Sequence, residues 1–235
     1  MLHIVSRSPM RFTCGRALLL VLTSVALCAT TSAFAGRSKR SERSDTSQDQ
    51  GAAESKNKPT AHFDLTDASS FTISEQVRIN GDARNMYDDA VRFLEQGQYQ
   101  QGIDLLLQVT QAAPGVTAPY IDLGVAYTRM GDFEHAEASL KTAIELNPKH
   151  PAAYNELGLL YREMGRFADA RTSYEKALAI YPGFHYAQKN LAILCDLYLN
   201  DVPCALEHYK AYSEAMPDDK EATIWIADLS KRAGQ

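Results

Sequence analysis

The sequence predicts an all-α chain, a solenoid of about four helical hairpins closed by one further helix, preceded by a segment that lies outside the fold. Two observations carry that prediction. "APYIDLGVAYTRMGDFEHAEASL", residues 118–140, is echoed by "AAYNELGLLYREMGRFADARTSY", residues 152–174, with the small and aromatic residues in step while the charges drift. Within each stretch the apolar residues fall three and four apart, the spacing that gathers them on one helix face. Self-similarity at a fixed period marks units that bury their apolar faces only by stacking on one another.

Tyr120, Leu123, Gly124, Tyr127, Gly131, Phe133, Ala136, Ala143 and Pro148 recur 34 residues later as Tyr154, Leu157, Gly158, Tyr161, Gly165, Phe167, Ala170, Ala177 and Pro182. The frame extends backwards to Gly97, Tyr99, Gly102, Val109 and Pro114. Forwards it slips: Leu191, Ala192 and Cys195 keep the frame, whereas Ala205, Tyr209, Tyr212 and Pro217 come one residue late. Between the two apolar stretches of a unit stand "QGQ", "MGD" and "MGR", where glycine lets the chain leave one helix and enter the next. Pro148 and Pro182 close the units, because proline has no N–H to give a helix and the residue before it avoids helical angles. Gly124 with Ala136, and Gly158 with Ala170, are expected where two helix backbones approach closely.

These residues resemble the tetratricopeptide repeat (TPR), whose pattern of aromatic, Leu-Gly, Tyr, then Ala, aromatic, Ala and Pro runs over 34 residues. Residues 117–150 and 151–184 match it almost fully. In 83–116, Asp89 and Ala90 replace Leu-Gly and Gly102 replaces the first alanine; 185–219 carries the extra residue. The resemblance implies a right-handed superhelix of four hairpins over 83–219. Residues 220–235 follow as a capping helix and tail, with acids first and Lys231 and Arg232 last, the order a helix dipole favours. Trp225 is expected to pack there.

The start of the chain reads differently. Arg7, Arg11 and Arg16 precede the apolar run "ALLLVLTSVALCA", and Ala33 and Ala35 flank a cleavage pattern, so residues 1–35 are expected to be a removed secretory signal. The run is too short to span a hydrocarbon core of about 30 Å, and no membrane span is expected in the mature form. Residues 36–60 hold no large apolar side chain and are expected to be a disordered linker. Residues 61–82 regain apolar residues and form a partly ordered extension. Alternation at Phe71, Ile73, Val77 and Ile79 suggests a strand, with a short helix from Ser74 as the alternative.

The formal net charge is −5, and signal removal takes three arginines and no acid. An acidic chain repels phosphate backbones and anionic lipid, which disfavours nucleic acid and the membrane surface as partners. Losing Cys14 and Cys28 leaves Cys195 and Cys204 as the remaining pair, in an oxidising compartment. A disulfide is favoured over two buried thiols. No metal-ligand spacing, nucleophile elbow or phosphate loop occurs, and His62, His135, His150, His185 and His208 are scattered. No catalytic residue, metal or cofactor is assigned.

Function must then come from a surface. The resemblance implies that the first helix of each unit lines a concave groove. Val91, Val125, Leu159 and Ile193 fall in register there, joined by Tyr87, Leu94, Ile121, Thr128 and Asn155, with Arg129, Arg162 and Lys189 around them. A family member that clamps terminal carboxylates would carry asparagine and lysine where these aliphatics stand. The ligand expected is an extended segment or short helix with apolar anchors and some acidic residues. The sequence thus reads as an exported, non-catalytic, periplasmic adaptor for another envelope protein. Its overall likeness is to small periplasmic TPR proteins that accompany TonB-type energy-transducing systems. The alternatives are an assembly factor for pili or outer-membrane machinery, and a non-catalytic subunit of an enzyme complex.

Overall fold

Residues 2–4, 61–67, 70–75 and 81–234 are described by the structure, a computed structural model. The expected linker, most of the expected signal, Cys14 and Cys28, and Val77 and Ile79 lie outside those residues. From Gly81 the chain is helical: α1 (Gly81–Glu95), α2 (Tyr99–Ala112), α3 (Thr117–Met130), α4 (Phe133–Leu146), α5 (Pro151–Glu163), α6 (Phe167–Ile180), α7 (His185–Leu197), α8 (Val202–Ala215) and α9 (Lys220–Ala233). Ahead of them stands a small antiparallel sheet of β1 (Leu2–Ile4), β2 (Ala61–Asp67) and β3 (Ser70–Glu75), ordered β1-β3-β2. It is an addition to the all-α reading. Phe71 and Ile73 fall in β3 and face Leu65 and Phe63 of β2 in the register. β1 lies in the stretch assigned to the signal, so a processed chain would keep the β2–β3 hairpin.

Each hairpin turn is closed in one way. Gly97, Gly131 and Gly165 have φ of 74°, 78° and 73°. In each case the glycine N–H and the next N–H fold back onto the preceding helix: Gly131 N donates to Thr128 O at 3.1 Å and Asp132 N to Tyr127 O at 2.9 Å. Such bonds satisfy carbonyls that the helix end leaves open. The slipped repeat replaces glycine with Asn200, at φ 51°. Asparagine tolerates the left-handed region better than most residues. There Asp201 N reaches back to Cys195 O, at 2.8 Å, a span one residue longer. The extra residue is therefore accommodated in the turn, and α7 keeps the length of α5.

Packing alternates along the chain, each second helix touching both its own first helix and the next one. Leu106, Leu140, Leu160, Tyr174, Leu191 and Leu194 are fully buried along this seam, each worth about 1.5–3 kcal/mol in side-chain burial. The small residues act differently from expectation. Ala136 and Ala170 are buried, but the space beside Gly124 is taken by Leu140, and that beside Gly158 by the ring of Tyr174. The glycines make room for a large side chain from the second helix, in place of an alanine backbone. At the end, α9 buries Ala222 and Leu229 against the core and exposes Thr223, Ala227 and Ser230. Its outer face is polar, as a cap requires.

Candidate functional site

First helices also touch first helices across repeats: α1 with α3, α3 with α5, α5 with α7. Among the described residues, no comparable packing joins the second helices. A stack touching on one side only must curve towards that side, so α1, α3, α5 and α7 form the inner wall. Buried pairs fix the register along it: Ala153 and Leu160 in α5, Ala187 and Leu194 in α7, Ala222 and Leu229 in α9. By this register α9 occupies the place of a further first helix.

Val91, Val125, Leu159 and Ile193 are all half-buried. Val91 rests against the N-terminal core cluster, and Leu159 and Ile193 against the central one. Each of the four keeps part of its side chain accessible, at the register where the sequence places the aliphatic positions. The other candidates divide by what they touch. Leu94 is half-buried, packed beneath Gly102, and Ile121 is buried. The Thr128 hydroxyl donates to Gly124 O on its own helix, at 2.7 Å. Arg129 is exposed. Arg162 is only 8 % exposed, with Glu163 3.5 Å away and the Tyr198 ring 6.0 Å from its guanidinium carbon. Lys189 is held by Asp219 at 3.2 Å and Tyr212 Oη at 3.3 Å, and its ammonium lies over the Trp225 ring, 5.0 Å from the centroid. Trp225 in turn packs on Tyr209.

A ladder of cross-repeat contacts runs down the wall. Tyr87 Oη donates to Asp122 Oδ2 at 2.6 Å, and Asn190 Nδ2 donates to Asn155 Oδ1 at 2.9 Å; both pairs are 35 residues apart. The same offset sets Ile121 opposite Glu156, so Glu156 gets no cross-repeat donor there. It accepts instead from its neighbour Asn155 Nδ2, at 3.0 Å. Burial pushes the Glu156 carboxyl up to about 7, against the opposing pull of the Asn155 hydrogen bond and the Arg129 charge, with Asp122 adding to the rise. Burial likewise lifts Asp122 to about 6, partly offset by the Tyr87 hydrogen bond. Sequence reasoning missed both carboxylates, although each directly follows a residue it named, Ile121 or Asn155. It also missed Leu197 and Ile224, the two most exposed large apolar side chains among the described residues, at 69 % and 66 %.

In the core of the fourth hairpin, Cys195 and Cys204 form a disulfide joining α7 to α8, with Cα atoms 5.9 Å apart. Asp201 sits between them, its Oδ1 accepting from Cys204 N at 3.2 Å. The two sulfurs and the Asp201 carboxylate lie within 4.8 Å of one another. With the sulfurs bonded to each other, the arrangement is a crosslink. Among the described residues, no helix is long and apolar enough to cross a membrane.

Residues 121–183 match the family model of the tetratricopeptide repeat. Solved structures of the same fold include PilF of Pseudomonas aeruginosa, at 17 % identity over 65 % of this chain and 69 % of that one, with a TM-score of 0.59. TTC0263, a thermophilic TPR protein of Thermus thermophilus, matches at 24 % identity over 63 % and 81 %, with a TM-score of 0.58. MamA of Desulfovibrio magneticus RS-1 matches at 16 % identity over 67 % and 88 %, with a TM-score of 0.56. At such identities the likeness is one of fold. No curated protein matches the chain. The narrower likeness to accessories of TonB-type systems finds no support among these relatives.

Proposed function

Since the chain is a protein of the tetratricopeptide repeat family, whose fold serves protein interaction, we propose that it is an exported, non-catalytic adaptor that holds a segment of another cell-envelope protein in its inner groove. The observation that carries this reading is the aliphatic stripe Val91, Val125, Leu159 and Ile193, in register and half-exposed on the concave wall. An apolar strip left open by a stacked architecture is the usual mark of a docking surface. Export and a periplasmic location rest on the basic, apolar and small-residue order of residues 1–35. A link to TonB-type transport rests on sequence likeness alone, and an assembly factor for pili or outer-membrane machinery is the rival reading.

The test is crosslinked affinity purification from the envelope fraction with the intact chain and with a Val125→Asn, Leu159→Asn variant. The adaptor reading expects specific partners with the wild type, their loss with the variant, and unchanged helical circular dichroism. Retention of the same partners would refute the groove. Unfolding of the variant would assign the two residues to the core and refute it as well. The identity of the partners separates envelope transport from pilus or outer-membrane assembly.

A further inference from the structure

The inner wall carries a pattern more specific than an apolar strip. Leu197 follows Ile193 by one helical turn, and Ile224 stands at the register of Ile121, two residues after the buried Ala222. Both are exposed on the last two helices of the stack, Leu197 at the register of Arg232 and Ile224 at that of Lys189, so each offers a separate aliphatic contact, about two helical turns apart. The middle of the groove is aliphatic too, through Val125 and Leu159, but these flank the two carboxylates Asp122 and Glu156. Among the described residues, neither carboxylate forms a salt bridge. Asp122 has a phenol hydroxyl and Glu156 an amide as hydrogen-bond donor. The groups around Glu156 are Asp122 and Arg129 from α3, Asn155 from its own helix, Asn190 from α7 and the buried Tyr174 from α6. A half-buried carboxylate without a paired cation is costly to ionise, and a cation brought by a partner would remove that cost.

The cations that the sequence placed around the groove are differently disposed. Arg162 is buried, and Lys189 is already taken by Asp219 and Tyr212. These two are poorly placed to receive an acidic ligand, and the third, Arg129, is exposed but already sets its charge towards Glu156, partly favouring the ionised carboxyl. We propose that the occupant of the groove is a peptide segment that sets a basic side chain against Asp122 and Glu156, between aliphatic residues, one of which reaches the exposed Leu197. This reverses the acidic partner expected from sequence and rests on the adaptor reading above.

The test is selection of a random peptide library, displayed on phage, against the immobilised full chain near neutral pH. The expected result is enrichment of sequences with Arg or Lys between aliphatic residues. The strongest of these, synthesised with a fluorophore, should bind the Glu156→Gln variant about tenfold more weakly by anisotropy, or about 1.4 kcal/mol. Glu156→Asp, which keeps the charge, should retain the preference for a basic residue, and Leu197→Asn should weaken binding without changing that preference. Enrichment of acidic or uncharged cores, or equal binding by Glu156→Gln, would overturn the proposal. Selection on the Val125→Asn, Leu159→Asn variant tells the two readings apart. Peptides recovered equally on it would remove the groove itself, whereas loss there with no effect of Glu156→Gln would leave the groove and remove the basic anchor. Failure to enrich any sequence counts against both.

Discussion

Replacing Glu156 with Gln should stabilise the protein more the higher the pH, and the structure sets the size of the effect. In the folded chain the Glu156 carboxyl titrates near 7, against an ordinary value of 4.5. At about 1.36 kcal/mol per tenfold change in proton affinity, that difference is worth about 3 kcal/mol at most, because the side chain is only half-buried. The sign follows from which state gives up its proton first. Below 4.5 the group is protonated folded and unfolded alike, and it contributes its full stability. As pH rises, the unfolded chain ionises first, and the contribution is lost through about pH 7. Gln does not titrate, so the stability of the variant relative to wild type should grow by up to about 3 kcal/mol from about pH 4 to about pH 8. Asp122 follows the same trend, and His185 and His208, whose pKa values burial lowers, act in the opposite sense. All three are present in both proteins and largely cancel in the difference. Urea denaturation followed by circular dichroism at stepped pH measures it. A difference that stays constant across the range would refute the reasoning.

Two further outcomes test the packing. A methyl group on Gly158 would lie 2.5 Å from Cε1 of the buried Tyr174 ring, so Gly158→Ala should cost about 1–3 kcal/mol in overpacking, more than the roughly 1 kcal/mol that alanine gains in helix propensity. Gly115→Ala meets no atom within 4 Å and should change stability by less than about 0.5 kcal/mol; equal thermal midpoints for the two variants would contradict this. The disulfide closes a loop with a sequence separation of 9, and replacing both cysteines with serine should cost roughly 2.5–3 kcal/mol in the chain-entropy model. Denaturing alkylation of the native protein without reductant should label neither Cys195 nor Cys204, and two labelled thiols in most molecules would exclude the crosslink.

The hairpins were legible because their geometry demands particular residue types. Gly97, Gly131 and Gly165 stand where φ must be positive, and Pro151 takes the first turn of α5, where a missing N–H costs nothing. Asn200 performs the same task less visibly, since asparagine is common in loops for other reasons. The pattern also told which positions are small and not what fills the space they leave: Leu140 and Tyr174, each sixteen residues beyond its glycine, were in plain sight yet unassigned. Register alone sets Val91, Val125, Leu159 and Ile193 at one position of four successive first helices, and all four are half-buried. The charges could not be read that way, because Lys189 finds Asp219 thirty residues away in the chain, and the burial of Arg162 depends on helices that only the fold brings together. The sheet lay near the limit of pattern reading, where the alternation of Phe71 and Ile73 pointed to β3 but nothing announced β2.

The ladder on the inner wall makes the superhelix a spring whose coils are clasped unequally. A phenol grips a carboxylate between the first and second repeats, and an amide grips an amide between the third and fourth. An ammonium rests on an indole where the fourth meets α9. Between the second and third, Ile121 faces Glu156 on the wall, and the clasp comes instead from α4, where Glu137 accepts from Tyr161 Oη at 3.0 Å and pairs with Arg166 at 3.1 Å. A change of curvature at that joint therefore pulls on Glu137 and its two partners, away from the wall, and leaves Asp122 and Glu156, on which a guest would settle, outside the clasp.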